Sequence, residues 1–319
     1  MPQPPIQSLS VIIPAYNEAG VIGQTLRRIK EIVEDGSVAD RLQLIAVSDA
    51  STDKTFEESV DGLGGSDGVV VELVSNAGSH SAIRCGLQYA TGDVMIIMAA
   101  DGQDPPETIP ELVAALRPGI DIVWARRASR AHDPRLRRIL AGGYYWLFRR
   151  LTGLDYPPGG FDFVAVTRAA AESLLRYKER NTSIFLLLFN LGFGQAAVEY
   201  ERAERIGGES GWTLGKRMKL AVDMLTAFSA SPLRLVSATG FLVGVAGLAF
   251  GGVTVIRALL GNVPVSGWAS LMVVSSLMGG LTLVALGLLG EYVWRTLEEA
   301  RSRPLYIEAR HFDSSSGSP

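Results

Sequence analysis

Short, largely apolar runs punctuate the first part of the chain, at positions 9–14, 42–47, 69–74, 94–98 and 121–124. They lack the strict alternation of a half-exposed strand, so each predicts a strand buried on both faces of a parallel sheet. Helical spacing separates them. It covers positions 21–33, then a stretch from the polar 76–80 segment through Ala90. A further helix is opened by Pro105, Pro106 and Glu107. Prolines suit a first helical turn, and a carboxylate there favours the positive end of the helix dipole. Strands alternating with helices predict an α/β fold built on a doubly wound parallel sheet. Every strand is followed by polar residues, so the polar loops collect along one edge. That carboxyl edge is where open α/β sheets hold ligands.

The pattern changes after position 230. Residues 235–256 and 268–290 carry no charge, and each run is long enough to cross a hydrocarbon core of about 30 Å as a helix. The turn between them, 261–267, has no Lys or Arg. Arg234 precedes the first run, and Arg295, Arg301 and Arg303 follow the second. Positive charge on that side places both termini and the preceding domain in the cytoplasm, at the inner membrane. Arg257 at the far end is discordant and would snorkel. Upstream, Arg135, Arg137, Arg138, Arg149 and Arg150 interleave with Tyr144, Tyr145, Trp146 and Phe148. This basic helix with an aromatic face, near 135–151, has the composition of one lying in a membrane interface. A second amphipathic segment spans 213–230. The expected organisation is a catalytic domain over 1–230, two spans over 231–296 and a partly disordered tail over 297–319.

Composition narrows the classes. A chain of 319 residues accommodates about two domains. Mean hydropathy is +0.21, raised largely by the last third. Net charge is −3, which argues against a general nucleic-acid binder. Cys85 is the single cysteine, which excludes a disulfide framework and a cysteine metal site. The first ten residues lack the charged start and apolar core of a signal peptide. Neither a G-x-G-x-x-G nor a G-K-[ST] loop is present, so no dinucleotide or P-loop fingerprint is expected.

The chemistry concentrates in MIIMAADGQDPPETIPEL, residues 95–112, where Asp101, Gln103 and Asp104 sit between a strand and a helix. Hard oxygen ligands spaced two apart suit Mg²⁺ or Mn²⁺ held against a diphosphate. A turn rich in Asp for capping reasons has the same composition. His80, just after Gly78, is either a diphosphate contact or an ordinary loop histidine.

SVIIPAYNEAGVI, SDASTDKT, NAGSHSAIRCGLQYATGD and DGQDPPE, in that order, resemble the successive motifs of family 2 glycosyltransferases with the GT-A fold. The branch is that of dolichol-phosphate mannose synthase and the bacterial polyprenyl-phosphate glycosyltransferases. The resemblance implies a GT-A domain that moves a sugar, with inversion, from a nucleotide-diphosphate sugar to a polyprenyl phosphate. It implies Pro14, Tyr16, Glu18, Asp49 and Asp101 as nucleotide-sugar contacts, and Asp101 and Gln103 as ligands of Mg²⁺ or Mn²⁺. Arg127 and Arg130 match the family's Arg-x-x-Arg, and Arg202 and Arg205 match a second one. Together with Arg138 these are the implied acceptor-phosphate contacts. Asp162 falls in a segment resembling Gly-Asp-Phe near the donor sugar, so Asp101, Asp162 and Arg127 are the implied catalytic set. Membrane lipids and a homo-tetramer are further implied partners. Two departures stand out: Ser48 replaces the first residue of Asp-Asp-Gly-Ser, and Ala99 the first of Asp-x-Asp-x-Gln. They bear on donor choice, and they support an alternative sugar-nucleotide-binding protein that has lost catalysis. A processive polysaccharide synthase would carry Gln-x-x-Arg-Trp and more spans, and neither is found.

Overall fold

The computed structural model describes residues 6–36, 38–128, 150, 162–177, 179, 182–201, 231–260 and 267–315. The chain opens β1 (Ile6–Ala15), α1 (Ile22–Asp35), β2 (Ala39–Ser48), α2 (Thr55–Leu63), β3 (Asp67–Leu73), α3 (Ser79–Tyr89) and β4 (Val94–Ile97). A short 3-10 turn (Pro106–Thr108) leads into α4 (Ile109–Ala115). Then come β5 (Ile122–Arg127), β6 (Val164–Thr167), α5 (Arg168–Leu175), α6 (Ile184–Asn190) and β7 (Gln195–Tyr200). Two long helices, α7 (Ser231–Leu259) and α8 (Trp268–Ala300), precede a last strand, β8 (Glu308–Asp313).

The strands form one sheet in the order β7-β5-β6-β4-β1-β2-β3-β8. The apolar runs become its centre, and Val11, Ile12, Ile13, Leu44, Ile45 and Ile96 are fully buried. Burying each such side chain contributes about 1.5–3 kcal/mol, more than local propensity supplies. Leu9, Val11 and Ile13 face Ile22, Leu26 and Ile29 of α1 and Ile109 and Leu112 of α4. On the opposite face α3 lies so close that a Cβ at Gly86 would stand 2.5 Å from Ile12 Cγ2.

The sheet is mixed, where an all-parallel one was expected. β6 runs antiparallel between β4 and β5, while β5 and β7 pair in parallel. A strand that turns back between two parallel neighbours carries the same apolar signature as they do. Its direction is therefore set by connectivity and not by pattern. Glu107 lies in the 3-10 turn and pairs with Arg28 of α1 at 2.8 Å, an exposed contact.

The tail expected to be partly disordered instead supplies β8. This strand pairs antiparallel with β3, from Val69 opposite Asp313 to Leu73 opposite Glu308. Arg310 bridges Glu72 and Glu57, with its guanidinium 4.0 Å from the centre of the Phe56 ring. Tyr89 donates to Glu308 Oε2 at 2.6 Å, and Tyr306 to Gln88 Oε1 at 2.6 Å. Cys85 is buried beside Glu308, and burial, then that carboxylate, push its thiol up to about 12, so it is no nucleophile at neutral pH. The polar tail composition hid a strand that is stabilised by covering the edge of β3, which would otherwise expose unpaired backbone.

α7 and α8 belong to a second compact unit. Both are long and apolar enough to cross a membrane, and Phe241, Leu242, Leu259 and Leu283 are exposed. α8 continues past Gly290 to Ala300. The amphipathic segments expected near 135–151 and 213–230 lie outside the described residues, except that Arg150 is helical and exposed.

Ending the chain after Leu305 should expose the edge of β3 and lower stability by about 3 kcal/mol. That is roughly 10 °C in melting temperature for a domain of this size. A truncated protein in detergent that melts with the full-length chain would show that β8 contributes nothing.

Candidate active site

The carboxyl ends of β1 and β2 are joined by a ladder of side-chain bonds to backbone. Asn17, at φ 54, accepts the Thr52 amide on Oδ1 at 2.8 Å, and its own amide donates to Ser51 Oγ at 3.1 Å. The Glu18 amide donates to Thr55 Oγ1 at 2.9 Å, and the Ala19 amide to Asp53 Oδ2 at 3.1 Å. Asp53 Oδ1 also accepts the amide of Thr55, the first residue of α2, at 3.1 Å. Pro14 and Glu18 remain partly exposed at this edge, and Tyr16 is 48% exposed.

Asp49 is 3% exposed, and both of its oxygens are engaged. Oδ1 accepts the Ala77 amide at 2.7 Å and Oδ2 the Gly78 amide at 2.8 Å. Burial raises its pKa, and the two amides work against that shift. Asp49 thus holds the loop after β3 to the end of β2, a task its place in the sequence did not reveal.

The three polar residues after β4 part company. Asp104 is 1% exposed and turned inward, accepting the Ala99 amide on Oδ2 at 3.1 Å and the Tyr200 hydroxyl on Oδ1 at 2.9 Å. Asp101 and Gln103 stay partly exposed at the sheet edge. Asp101 Oδ1 accepts the Gln103 amide at 3.1 Å, a turn that Gly102 permits at φ 70. One carboxylate and one amide oxygen are too few for a cage built from protein alone. They fit a hard cation whose other ligands are diphosphate oxygens and water.

Arg127 ends β5 and is the parallel register partner of Tyr200 at the end of β7. Its guanidinium lies 3.7 Å from Asp162, which is 55% exposed. Burial works against its charge, but the Tyr200 hydroxyl and the carboxylates of Asp162 and Asp104 more than offset this and keep it protonated. Tyr200 stacks edge-on against Phe163, with 5.8 Å between ring centres. Asp101, Gln103, Arg127 and Asp162 thus come together at one edge, joined through Asp104 and Tyr200. Arg130, Arg138, Arg202 and Arg205 lie outside the described residues. Tyr200 was missed because only the β5–β7 register brings it to the site.

The family model for glycosyl transferase family 2 matches residues 10–186. The chain belongs to glycosyl transferase family 2. It is a glycosyltransferase, and its mixed sheet is of the GT-A type. Over 304 residues it is 33% identical to the prophage bactoprenol glucosyl transferase homolog of Escherichia coli, covering 95% of this chain and 98% of that protein. It is 32% identical over 306 residues to the undecaprenyl-phosphate 4-deoxy-4-formamido-L-arabinose transferase of Proteus mirabilis, covering 95% and 93%. Among solved structures, glucosyl-3-phosphoglycerate synthase of Mycobacterium tuberculosis with Mn²⁺ and UDP-glucose is a distant likeness. It is 21% identical at a TM-score of 0.48, over 68% of this chain and 76% of that one.

Against the usual family 2 motifs, the departures have local consequences. Ala50, where Asp-Asp-Gly-Ser has glycine, sits at φ 56, a left-handed conformation that costs an L-residue about 1–2 kcal/mol. The Ser48 hydroxyl is buried with no partner among the described residues. At Ala99 the missing side chain leaves the loop's hold on Asp104 intact, since that bond uses the backbone amide.

His80 is helical, where a loop position was expected. It lies in the first turn of α3 with its ring edge on Phe185, 5.8 Å between centres, and its Nδ1 is sealed without a partner. Burial, then the nearby Arg84 charge, lower its pKa to about 4. Its neutral form is therefore the native one, and the unfolded chain takes up a proton that the folded chain refuses.

Ala50→Gly should stabilise the domain by about 0.5–1 kcal/mol, since relief of the strain exceeds glycine's entropic cost. An unchanged or lower melting temperature would mean that the loop carries no strain at Ala50. Folding stability should be fully present above pH 6.5 and fall as pH drops from 6.5 towards 4. His80→Gln should flatten that part of the stability profile. If the slope is the same in the variant, other groups carry it.

Proposed function

We propose that the protein transfers a glycosyl group, with inversion, from a nucleotide-diphosphate sugar to a polyprenyl phosphate at the cytoplasmic face of the membrane. The observation that carries this reading is the meeting of Asp101 and Gln103, suited to a metal–diphosphate, with the protonated Arg127 at one sheet edge. The relatives named for bactoprenol and undecaprenyl phosphate support the acceptor class. The two long apolar helices and the arginines flanking them support the location and orientation.

The nucleoside rests on Pro14, Tyr16 and Glu18, over a floor held in place by Asp49. The acceptor phosphate is already anionic at neutral pH, so it needs positioning more than deprotonation. Its oxygen attacks the anomeric carbon as the bond to the donor diphosphate breaks, and the nucleoside diphosphate leaves. Arg127 orients the incoming phosphate and screens its charge against the donor, and Asp162 steers the guanidinium and faces the donor sugar. Arg130, Arg138, Arg202 and Arg205 are proposed as further contacts to the lipid phosphate. Asp101 and Gln103 are the residues to hold Mg²⁺ or Mn²⁺, which when bound neutralises charge on the departing diphosphate.

Membranes carrying the protein, given a panel of radiolabelled nucleotide sugars, should place label in the lipid fraction. Asp101→Asn should remove most of that transfer while leaving the fold intact. Arg127→Ala should weaken use of the polyprenyl phosphate tenfold to a hundredfold, from roughly 1.5–3 kcal/mol per charge-assisted contact. Nucleotide affinity should change little. No lipid labelling with any donor would sink the reading. Weakened nucleotide affinity with unchanged acceptor dependence would move Arg127 to the donor side.

A further inference from the structure

We propose that Tyr200 is a positioning residue for this transfer: its hydroxyl ties the acceptor-side Arg127 to the donor-side 99–104 loop, so that the two phosphates meet at a set separation. The inference rests on the proposed function for the identity of the two sides.

Tyr200 is 7% exposed, so its hydroxyl needs partners, and it has them on both sides. The hydroxyl donates to Asp104 Oδ1 at 2.9 Å, and the register pairing of Tyr200 with Arg127 brings it to the guanidinium, whose charge it favours. The other Asp104 oxygen accepts the Ala99 amide at the foot of the loop that carries Asp101 and Gln103. Arg127 carries only donors and the ionised Asp104 only acceptors, so the hydroxyl between them points its proton at Asp104. The relay joins segments far apart in the chain: the ends of β5 and β7 and the loop after β4.

Packing alone does not account for this arrangement. The ring's contact with Phe163 would be kept by phenylalanine, and only the hydroxyl reaches both charged groups. Arg127 Nε is buried without a partner, so the direction of the guanidinium rests on its outer nitrogens, where Tyr200 and Asp162 lie. Asp162 is more than half exposed and 3.7 Å away, the looser of the two. Without the hydroxyl, Arg127 keeps its charge but loses its fixed direction. Misplacement by about 1 Å is enough to cost a hundredfold in a step governed by alignment.

The experiment uses full-length protein in detergent with a short-chain polyprenyl phosphate. Tyr200→Phe should lower kcat about tenfold and raise the acceptor KM several-fold, with the donor KM within twofold. In an Arg127→Ala background the same change should cost less than twofold, because Tyr200 acts through Arg127. A kcat within twofold of wild type in Tyr200→Phe would overturn the inference. So would full multiplication of the two effects in the double variant. Should Tyr200→Phe fail to fold, Asp104→Asn breaks the relay from its other end and is read by the same two measures. Calorimetric binding of the polyprenyl phosphate separates this inference from the proposed function. If wild-type protein binds the lipid but transfers no sugar, the proposed function falls. The inference then stands if Tyr200→Phe weakens that binding about tenfold and falls if the affinities match.

Discussion

A parallel strand buried on both faces offers chemistry only at its ends, and this protein is organised around that constraint. Leu9 to Ile13 of β1, Gln43 to Ser48 of β2 and all of β4 are buried between helices, so no side chain there meets solvent. Whatever binds a ligand must come from the loops at their carboxyl edge, and those loops must satisfy their own backbone without the help of a ladder. Asn17, Asp49, Asp53 and Asp104 do this, each accepting backbone amides of the same or a neighbouring loop. The edge is therefore a stitched surface held to the rigid sheet, on which Pro14, Tyr16, Glu18, Asp101 and Arg127 are displayed.

This division sorts the carboxylates physically. Asp49 and Asp104 are almost wholly buried, and their oxygens are committed to the fold; Asp101 and Asp162 keep exposure at the same edge. An inward carboxylate with good hydrogen bonds determines shape, and an outward one remains available to substrate. The short Asp-Gly-Gln-Asp segment contains both kinds three positions apart, separated by the left-handed turn at Gly102.

The same economy extends to the other end of the chain. After α8 the backbone re-enters the catalytic sheet as β8 and covers the exposed edge of β3. Val74 donates to the Ile307 carbonyl at 2.8 Å, next to the loop that Asp49 holds. The sheet is thus made of segments from both sides of the two apolar helices.

The sequence by itself determined the α/β class, the order of the first strands and helices, the two long apolar helices and the edge that carries the polar loops. It also supplied the motifs that identify family 2. These are properties of local pattern: burial on both faces demands unbroken apolar runs, and a membrane-length helix demands an uncharged stretch of fixed length. The tertiary structure alone decided the direction of β6, the recruitment of β8, the inward turn of Asp104 and the arrival of Tyr200 beside Arg127. Each depends on which distant segment lies alongside, and pairing between distant strands leaves no local periodicity. Glu308 to Asp313 read as a polar tail because an edge strand with one neighbour does not need an apolar run. His80 read either as a diphosphate contact or as a loop histidine because nothing near it in the chain announces Phe185. Pattern is written along the chain, whereas register and partnership are settled only when the sheet closes.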